Sequence, residues 1–129
     1  MGEEAAIHIM GAGLSGLAAA TLLARAGKEV HVHDIRADSG QRFDGDFQAL
    51  ENWSMDVDFF GQLAEWGFDI SEFKATEFDV VDLIHPDDTI TQAVTPGVAY
   101  RIVERGTSEH TIDQGFKRQA LAAGAQIHY

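Results

Sequence analysis

The 129-residue sequence contains no cysteine, which removes disulfides, thiolate metal sites and cysteine nucleophiles and fits a reducing, cytoplasmic compartment. Only two prolines occur, Pro86 and Pro96, so few positions are barred from regular structure by proline itself. No apolar run reaches the length of a membrane span. The N-terminal MGEEAAIHIMGAG has no basic region ahead of its apolar stretch and is not a secretory signal. Basic residues are scarce: nine against 21 acids, a formal net charge of −12, with Lys28, Lys74 and Lys117 the only lysines. Such a chain repels nucleic acid and anionic lipid. Solubility explains the acidity most simply, and adaptation to high salt is a second reading.

The apolar fraction of 45% is ordinary for a globular chain, and a domain of about this length buries roughly two-thirds of its unfolded surface. Glycine is frequent, with 13 residues, as in a fold of many short elements.

The run AAIHIM, 5–10, reads as a strand ending at glycine. LSGLAAATLLARA follows with apolar residues at helical spacing, and Gly27 is the expected C-terminal cap. EVHVHD, 29–34, alternates polar and apolar and ends on an acid. Strand, helix and strand within about 30 residues make one βαβ unit. Beyond it the period loosens. Ser54 is expected to cap a helix running to about Trp66, with Asp56 and Asp58 in its first turn and Val57, Phe60, Leu63 and Ala64 on its apolar face. Thr76–Ile84 and Val98–Glu104 read as strands joined through turns at Pro86 and Pro96. A second helix is expected from Thr111, which stands at capping-box spacing from Gln114, with Ile112, Phe116, Gln119 or Ala120 and Ala123 inward and Gly124 at its end. AQIHY then opens another strand, in which the sequence stops.

The turn GAGLSG joins the first strand to the first helix, and each glycine has a physical task there. Gly11 permits the sharp turn, Gly13 leaves room for a pyrophosphate to reach the backbone, and Gly16 lets the helix pack closely on the strand. Phosphates are then favoured by the free N–H groups and the dipole at the helix N-terminus, with Ser15 able to add a hydroxyl. Asp34, about 20 residues further on, is placed to accept hydrogen bonds from ribose hydroxyls and to repel a 2′-phosphate. A strand before, a helix after, a second strand and a terminal acid make the motif far more specific than GxGxxG alone. NAD and FAD share the ADP moiety that such a turn holds. The long excursion between Asp34 and Val98 favours FAD, because a simple NAD domain proceeds directly to another helix and strand.

These residues resemble a known group. GAGLSGLAAATLLARAGKEVHVHD is similar to the N-terminal ADP-binding motif of FAD-dependent oxidoreductases with the p-hydroxybenzoate hydroxylase-like fold. Asp34-Ile-Arg36 with Gly40-Gln-Arg42 resembles the extension that follows it, and YRIVERG with TIDQGFKRQALAAGAQIHY resembles the next landmark, with Asp113, Ala120 and Gly124 at the spacing of geranylgeranyl reductase-like members. The resemblance implies an α/β fold: a Rossmann-like βαβ dinucleotide-binding unit with a parallel sheet (5–34), a small antiparallel excursion (40–104), and a helix with the start of the next strand (111–129), together an incomplete domain corresponding to the first third of an enzyme. It implies that Asp34 binds the adenosine ribose, that Arg36 and Arg42 lie near the cofactor, that Gly45 and Asp46 contact the flavin region, and that Arg105, with Arg101 as fallback, contacts the cofactor. Its implied partners are FAD, a small-molecule or lipid-like substrate, and NAD(P)H or ferredoxin as reductant. Prenyl reductases usually carry a cysteine after the acid, and its absence argues against prenyl reduction.

The alternative is a standalone NAD- or nucleotide-binding module without redox chemistry. No nucleophile–base constellation stands out, and no catalytic residue is assigned. His31 and His33 share one strand face, and without a third ligand in view they read as a solvated or hydrogen-bonded pair rather than a metal site. Glu104 with Arg105 reads as a surface ion pair or, by resemblance, a cofactor contact. Phe43, Phe47 and Trp53 read as core before pocket lining.

Overall fold

The computed structural model describes residues 5–54 and 56–129. Its first unit follows the sequence closely: β1 (Ile7–Met10), α1 (Leu14–Arg25) and β2 (Val30–His33). Gly27 adopts a φ of +81° and donates to the Ala24 carbonyl, as a left-handed helix stop should. β1 and β2 pair in parallel, and β2 pairs in parallel with β8 (Gln126–His128), giving the order β1-β2-β8. α3 (Ile112–Ala122) supplies the crossover helix before β8 and packs against α1.

The core forms where these helices meet the sheet. Val30 and Val32 of β2 lie beneath Leu17 and Ala20 of α1 and Ile112, Phe116 and Ala120 of α3, all buried in one cluster. Phe60, Leu63, Phe68 and Phe73 extend it, with Phe68 stacked on Phe116 at 4.9 Å between ring centroids. Thr111 caps α3 as its spacing predicts, its hydroxyl accepting from the Gln114 N–H. The Gln114 side chain does not complete the reciprocal box; it donates to the Ser39 carbonyl instead.

Between β2 and α3 the structure departs from the sequence reading in three places. The segment from Gly40 to Glu51, which shows no period, forms a short 3₁₀ turn at Gln41–Phe43 and then β3 (Phe47–Glu51). The second helix, α2 (Phe59–Glu65), begins later than expected, because Asp58 rather than Ser54 caps it, its carboxylate accepting from the Gly61 N–H at 2.7 Å. Ser54 is drawn back to Glu51, to which its backbone N–H donates at 3.1 Å. Phe60 and Leu63 are buried as expected, whereas Val57 is half exposed and Ala64 faces outward. Finally, Thr76–Ile84 is not one strand. It divides at Asp79 into β4 (Ala75–Phe78) and β5 (Val80–Ile84), since each half finds a different partner. β5 pairs with β6 (Ile90–Val94), a strand lying between the two proline turns, in a separate hairpin. β4 and β3 flank β7 (Tyr100–Glu104) in an antiparallel sheet of order β3-β7-β4.

Two aromatic residues read as core are exposed: Phe47 on β3 and Trp53, whose ring meets Tyr100 edge-on at 6.2 Å. Phe43 is half buried. Among the described residues no helix is long and apolar enough to cross a membrane.

Leu17 has no solvent exposure and sits where α1 meets the sheet. Leu17→Ala is expected to destabilise the chain by about 2–5 kcal/mol, through lost burial and the cavity left behind. Urea unfolding followed by circular dichroism measures it; a shift within experimental error would show that this helix face does not carry the core.

Candidate dinucleotide-binding site

The GAGLSG turn connects β1 to α1, and its three glycines stand in different physical situations. Gly11 has a φ of +106°, a conformation that side chains disfavour, and its N–H donates to the His33 carbonyl at 2.7 Å. A Cβ on Gly16 would lie 2.0 Å from the Gly11 carbonyl oxygen, so only glycine lets the helix come this close. Gly13, the residue preceding α1, has φ −83° and ψ 178°, ordinary extended backbone. A Cβ there would meet no protein atom within 4 Å. The fold therefore requires glycine at 11 and 16 but not at 13.

The first hydrogen bond of α1 runs from the Leu17 N–H to the Gly13 carbonyl at 2.9 Å, and no side chain caps the turn. The amides of the first turn thus have no intrahelical acceptor, and the helix dipole adds partial positive charge at the same end. Ser15 is exposed in this turn.

Asp34 follows β2 and is tied to the turn from the other side. One carboxylate oxygen accepts the Ala12 N–H at 2.7 Å and the other accepts the Arg36 N–H at 2.9 Å. The Arg36 N–H, and after it that of Ala12, hold the carboxyl below the ordinary aspartate value, against the opposing effect of partial burial. Ala12 carries no signal in its side chain, which is why the sequence does not reveal this contact.

Two clefts meet at this acid. The first, of about 190 Å³, is lined by Ala12, Gly13, Asp34, Arg36, Asp38, Gly40, Arg42, Phe43, Arg105 and Asp113. The second, of about 300 Å³, is lined by Met10, Gly11, His33, Asp34, Ile35 and Arg36. Asp34 and Arg36 stand on the wall shared by both. The structure thus brings Gly11, Gly13, Asp34, Arg36, Arg42 and Arg105 to one region. Gly45 and Asp46 line neither cleft; they lie in the turn before β3, where the Asp46 carbonyl accepts the Arg105 N–H at 2.8 Å. Ser15 and Gly16 lie on α1 beside the first cleft without lining it.

Arg105 is not part of a surface ion pair with Glu104. Glu104 pairs with His110 at 2.6 Å, while Arg105 turns inward to grip the fully buried Asp113 with two parallel bonds, Nε–Oδ2 at 2.8 Å and Nη2–Oδ1 at 2.9 Å. Its remaining terminal nitrogen donates to Gln48, and its guanidinium lies 4.5 Å from the centre of the Phe43 ring. Arg101, the fallback, is held by Asp58 and Glu77 over the Phe60 ring and does not line either cleft. Asp38, Gly40, Phe43 and Asp113 join the site through long-range packing. Among the described residues no group of three or more histidines, acids or cysteines is arranged to hold a metal ion.

Comparison with known proteins agrees with this fold. Residues 9–58 match the family model of the NAD(P)-binding Rossmann-like domain. Over 43 residues, a third of the chain, the sequence is 54% identical to hydroxysqualene dehydroxylase of Rhodopseudomonas palustris, and covers 10% of that protein. The whole fold is similar to that of 2-methyl-3-hydroxypyridine-5-carboxylic acid oxygenase, with a TM-score of 0.70 at 20% identity over 97% of this chain and 31% of that one. It is similar too to a flavoprotein/dehydrogenase from Cytophaga hutchinsonii, with a TM-score of 0.60 at 18% identity over 98% of this chain and 30% of that one. The chain therefore spans about a third of these solved chains. The fold is Rossmann-like α/β with a parallel three-stranded sheet and small antiparallel sheets, and the resemblance drawn from GAGLSG and the residues after it stands with these findings.

Because the folded-state value of Asp34 is depressed, its contribution to stability is full above the unfolded-state value and is lost as pH falls through the lower folded one. Asp34→Asn is therefore expected to be less stable than the parent at about pH 6, with the gap closing toward about pH 3. Urea denaturation at a series of pH values tests this; a gap independent of pH would mean that the carboxylate charge does not tie the turn to β2.

Proposed function

We propose that the chain binds the ADP moiety of FAD and forms the N-terminal portion of a flavin-dependent oxidoreductase. The observation that carries this reading is the open space at Gly13. Glycine there answers to no demand of the fold, while the uncapped amides of α1 and the carboxylate of Asp34 face the same region. The residues fit the group. Gly11, Gly13 and the first turn of α1 would receive the pyrophosphate, with Ser15 adding a hydroxyl and Gly16 keeping the helix close. Asp34 would accept from the ribose hydroxyls, Arg36 and Arg42 would supply positive charge at the cleft walls, and Arg105, whose charge is balanced by Asp113, would offer the guanidinium N–H groups that its bonds to Asp113 and Gln48 leave over. Gly45 and Asp46 are assigned to the flavin side on the family resemblance alone. When bound, FAD would supply the two-electron redox chemistry, and the protein would orient it and set its electrostatics.

The division into a βαβ unit (5–34), an antiparallel excursion (40–104) and a closing helix and strand (111–129) belongs to the same proposal. A cleft of about 190 Å³ is smaller than the usual range for a whole small ligand, so the site fits part of a dinucleotide. The named relatives, an oxygenase, a flavoprotein/dehydrogenase and a hydroxysqualene dehydroxylase, support an oxidoreductase; a small-molecule or lipid-like substrate, reduction by NAD(P)H or ferredoxin and a cytoplasmic location belong to the proposal on the family resemblance and the composition alone. The NAD(P)-binding description of the matched family model favours one other reading, a nucleotide-binding module without redox chemistry.

Gly13→Val is expected to fold with a stability loss no greater than about 1 kcal/mol, the usual penalty for an apolar residue at this position of a helix. It is also expected to lose ADP binding in calorimetry. A variant that binds ADP as tightly as the parent overturns the site. Asp34→Ala is expected to weaken ADP-ribose binding by about 1–3 kcal/mol, and to narrow any preference for NAD over NADP. The chain by itself is expected to bind ADP or FAD weakly and to show no NADH oxidation; stoichiometric FAD absorbance retained after gel filtration, with turnover, would overturn the reading of an N-terminal portion of a larger enzyme.

A further inference from the structure

Three acids and three arginines line the first cleft: Asp34, Asp38 and Asp113 against Arg36, Arg42 and Arg105. Their formal charges cancel, while the chain as a whole carries −12. A site for a diphosphate needs local charge of the opposite sign, because the summed field of such a chain opposes an anion. The three acids are not equivalent. Asp113 is matched by Arg105 through two parallel bonds. Asp34 accepts from backbone amides of Ala12 and Arg36. Asp38 has no task in the nucleotide reading, and its charge would stand on the same wall as the phosphates.

A cation from outside the lining meets it. Lys117 stands one turn after Asp113 on α3, and its Nζ donates to Asp38 Oδ1 at 2.6 Å. The two side chains are only 22% and 31% exposed, so solvent screens this pair less than one on the open surface. The ammonium also lies 5.2 Å from the centre of the Tyr129 ring. The same loop is tied to α3 twice more: the Ser39 carbonyl accepts from Gln114 Nε2 at 3.0 Å, and Gly40 packs directly on Asp113. Partial burial by itself would raise the Asp38 carboxyl. The bonds from Lys117, from Gln114 and from the Ser39 N–H outweigh it and hold the carboxyl below the ordinary aspartate value. Asp38 is therefore an anion, and Lys117 is its counter-ion.

We propose that Lys117 is a positioning residue for the anionic part of the nucleotide: by neutralising Asp38 from outside the lining, it leaves Arg36 and Arg42 as surplus positive charge in the cleft. The inference rests on the ADP reading of this site and adds which group sets its sign. With Lys117 included, four cations stand against three acids. Once Asp113 and Asp38 are matched, Arg36 and Arg42 face the charge of Asp34 alone. A single charge counts most where water is partly excluded, and its effect falls as salt rises. The role is electrostatic, so it separates ligands that share adenosine and differ in charge. ADP senses the loss of Lys117. Adenosine does not, because the ribose-binding carboxylate of Asp34 is held by other groups.

The test is NMR titration of the full chain with ADP and, separately, with adenosine at low salt, which reads weak dissociation constants and the integrity of the fold in the same spectra. Lys117→Met is expected to weaken ADP binding about tenfold and adenosine binding by less than about twofold, with the difference shrinking at about 0.5 M salt. Lys117→Arg keeps the charge and is expected to bind ADP as the parent does. Asp38→Asn keeps the shape of the side chain and releases the Lys117 charge. It is expected to tighten ADP binding about threefold and leave adenosine unchanged, and it tests the charge balance even where Lys117→Met does not fold. In a chain that binds ADP, unchanged affinity in Lys117→Met, an equal loss of ADP and adenosine, or weaker ADP binding in Asp38→Asn would each overturn the role of Lys117. A parent chain that takes up no ADP overturns the nucleotide reading itself, and this role with it.

Discussion

A carboxylate with no contact to solvent must be satisfied by protein groups, and the arrangement around Asp113 follows from that constraint. Asp113 stands in the first turn of α3, where the helix dipole favours its charge. Arg105 at the end of β7 grips it with two bonds, and the Gly106 N–H adds a third at 3.0 Å. Gly40 must pass directly over the pair. A Cβ there would lie 2.4 Å from the Gly106 carbonyl oxygen and 2.7 Å from the Asp113 Cβ. The chain after β2, the end of the antiparallel sheet and the start of α3 are thereby locked to one another. Removing either charge would leave its partner buried and unpaired, the costly way to break such a bridge. Phe43, held over Arg105, inherits its place in the cleft wall from this lock.

A second, lighter tie closes the opposite wall. The Ala12 N–H to Asp34 bond joins the glycine turn to the end of β2, so the amides of α1 and the acid keep a fixed relation before any ligand arrives. Preorganisation of this kind lowers the ordering cost of binding. The turn itself separates two kinds of glycine. Gly11 and Gly16 serve the backbone, one through its φ and the other through close approach, and Gly13 serves the space outside the protein.

Residues 5–34 were the most legible because the signals that set their elements are local. Apolar alternation, an alanine-leucine helix, a glycine stop and an acid at the strand end all act within a few residues of one another, and the same holds for Thr111 capping α3. The excursion was less legible. Thr76–Ile84 has strand composition throughout, yet composition cannot say that β4 joins β7 while β5 joins β6. Ser54 and Asp58 both have capping side chains, and the choice fell to Asp58, which Arg101 and Asn52 also bind.

The sequence by itself determined the βαβ unit, the open space at Gly13 and the acid that lines the same cleft, since these rest on backbone permissions and short-range periodicity. Only the tertiary structure decided that Arg105 belongs to Asp113 rather than to Glu104, that Ala12 is the partner of Asp34, and that Lys117 reaches Asp38. Those pairings depend on strand register and helix docking, where residues up to 97 positions apart hydrogen-bond. A side chain cannot announce such a partner, because the partner is set by the packing of elements that neither residue belongs to alone.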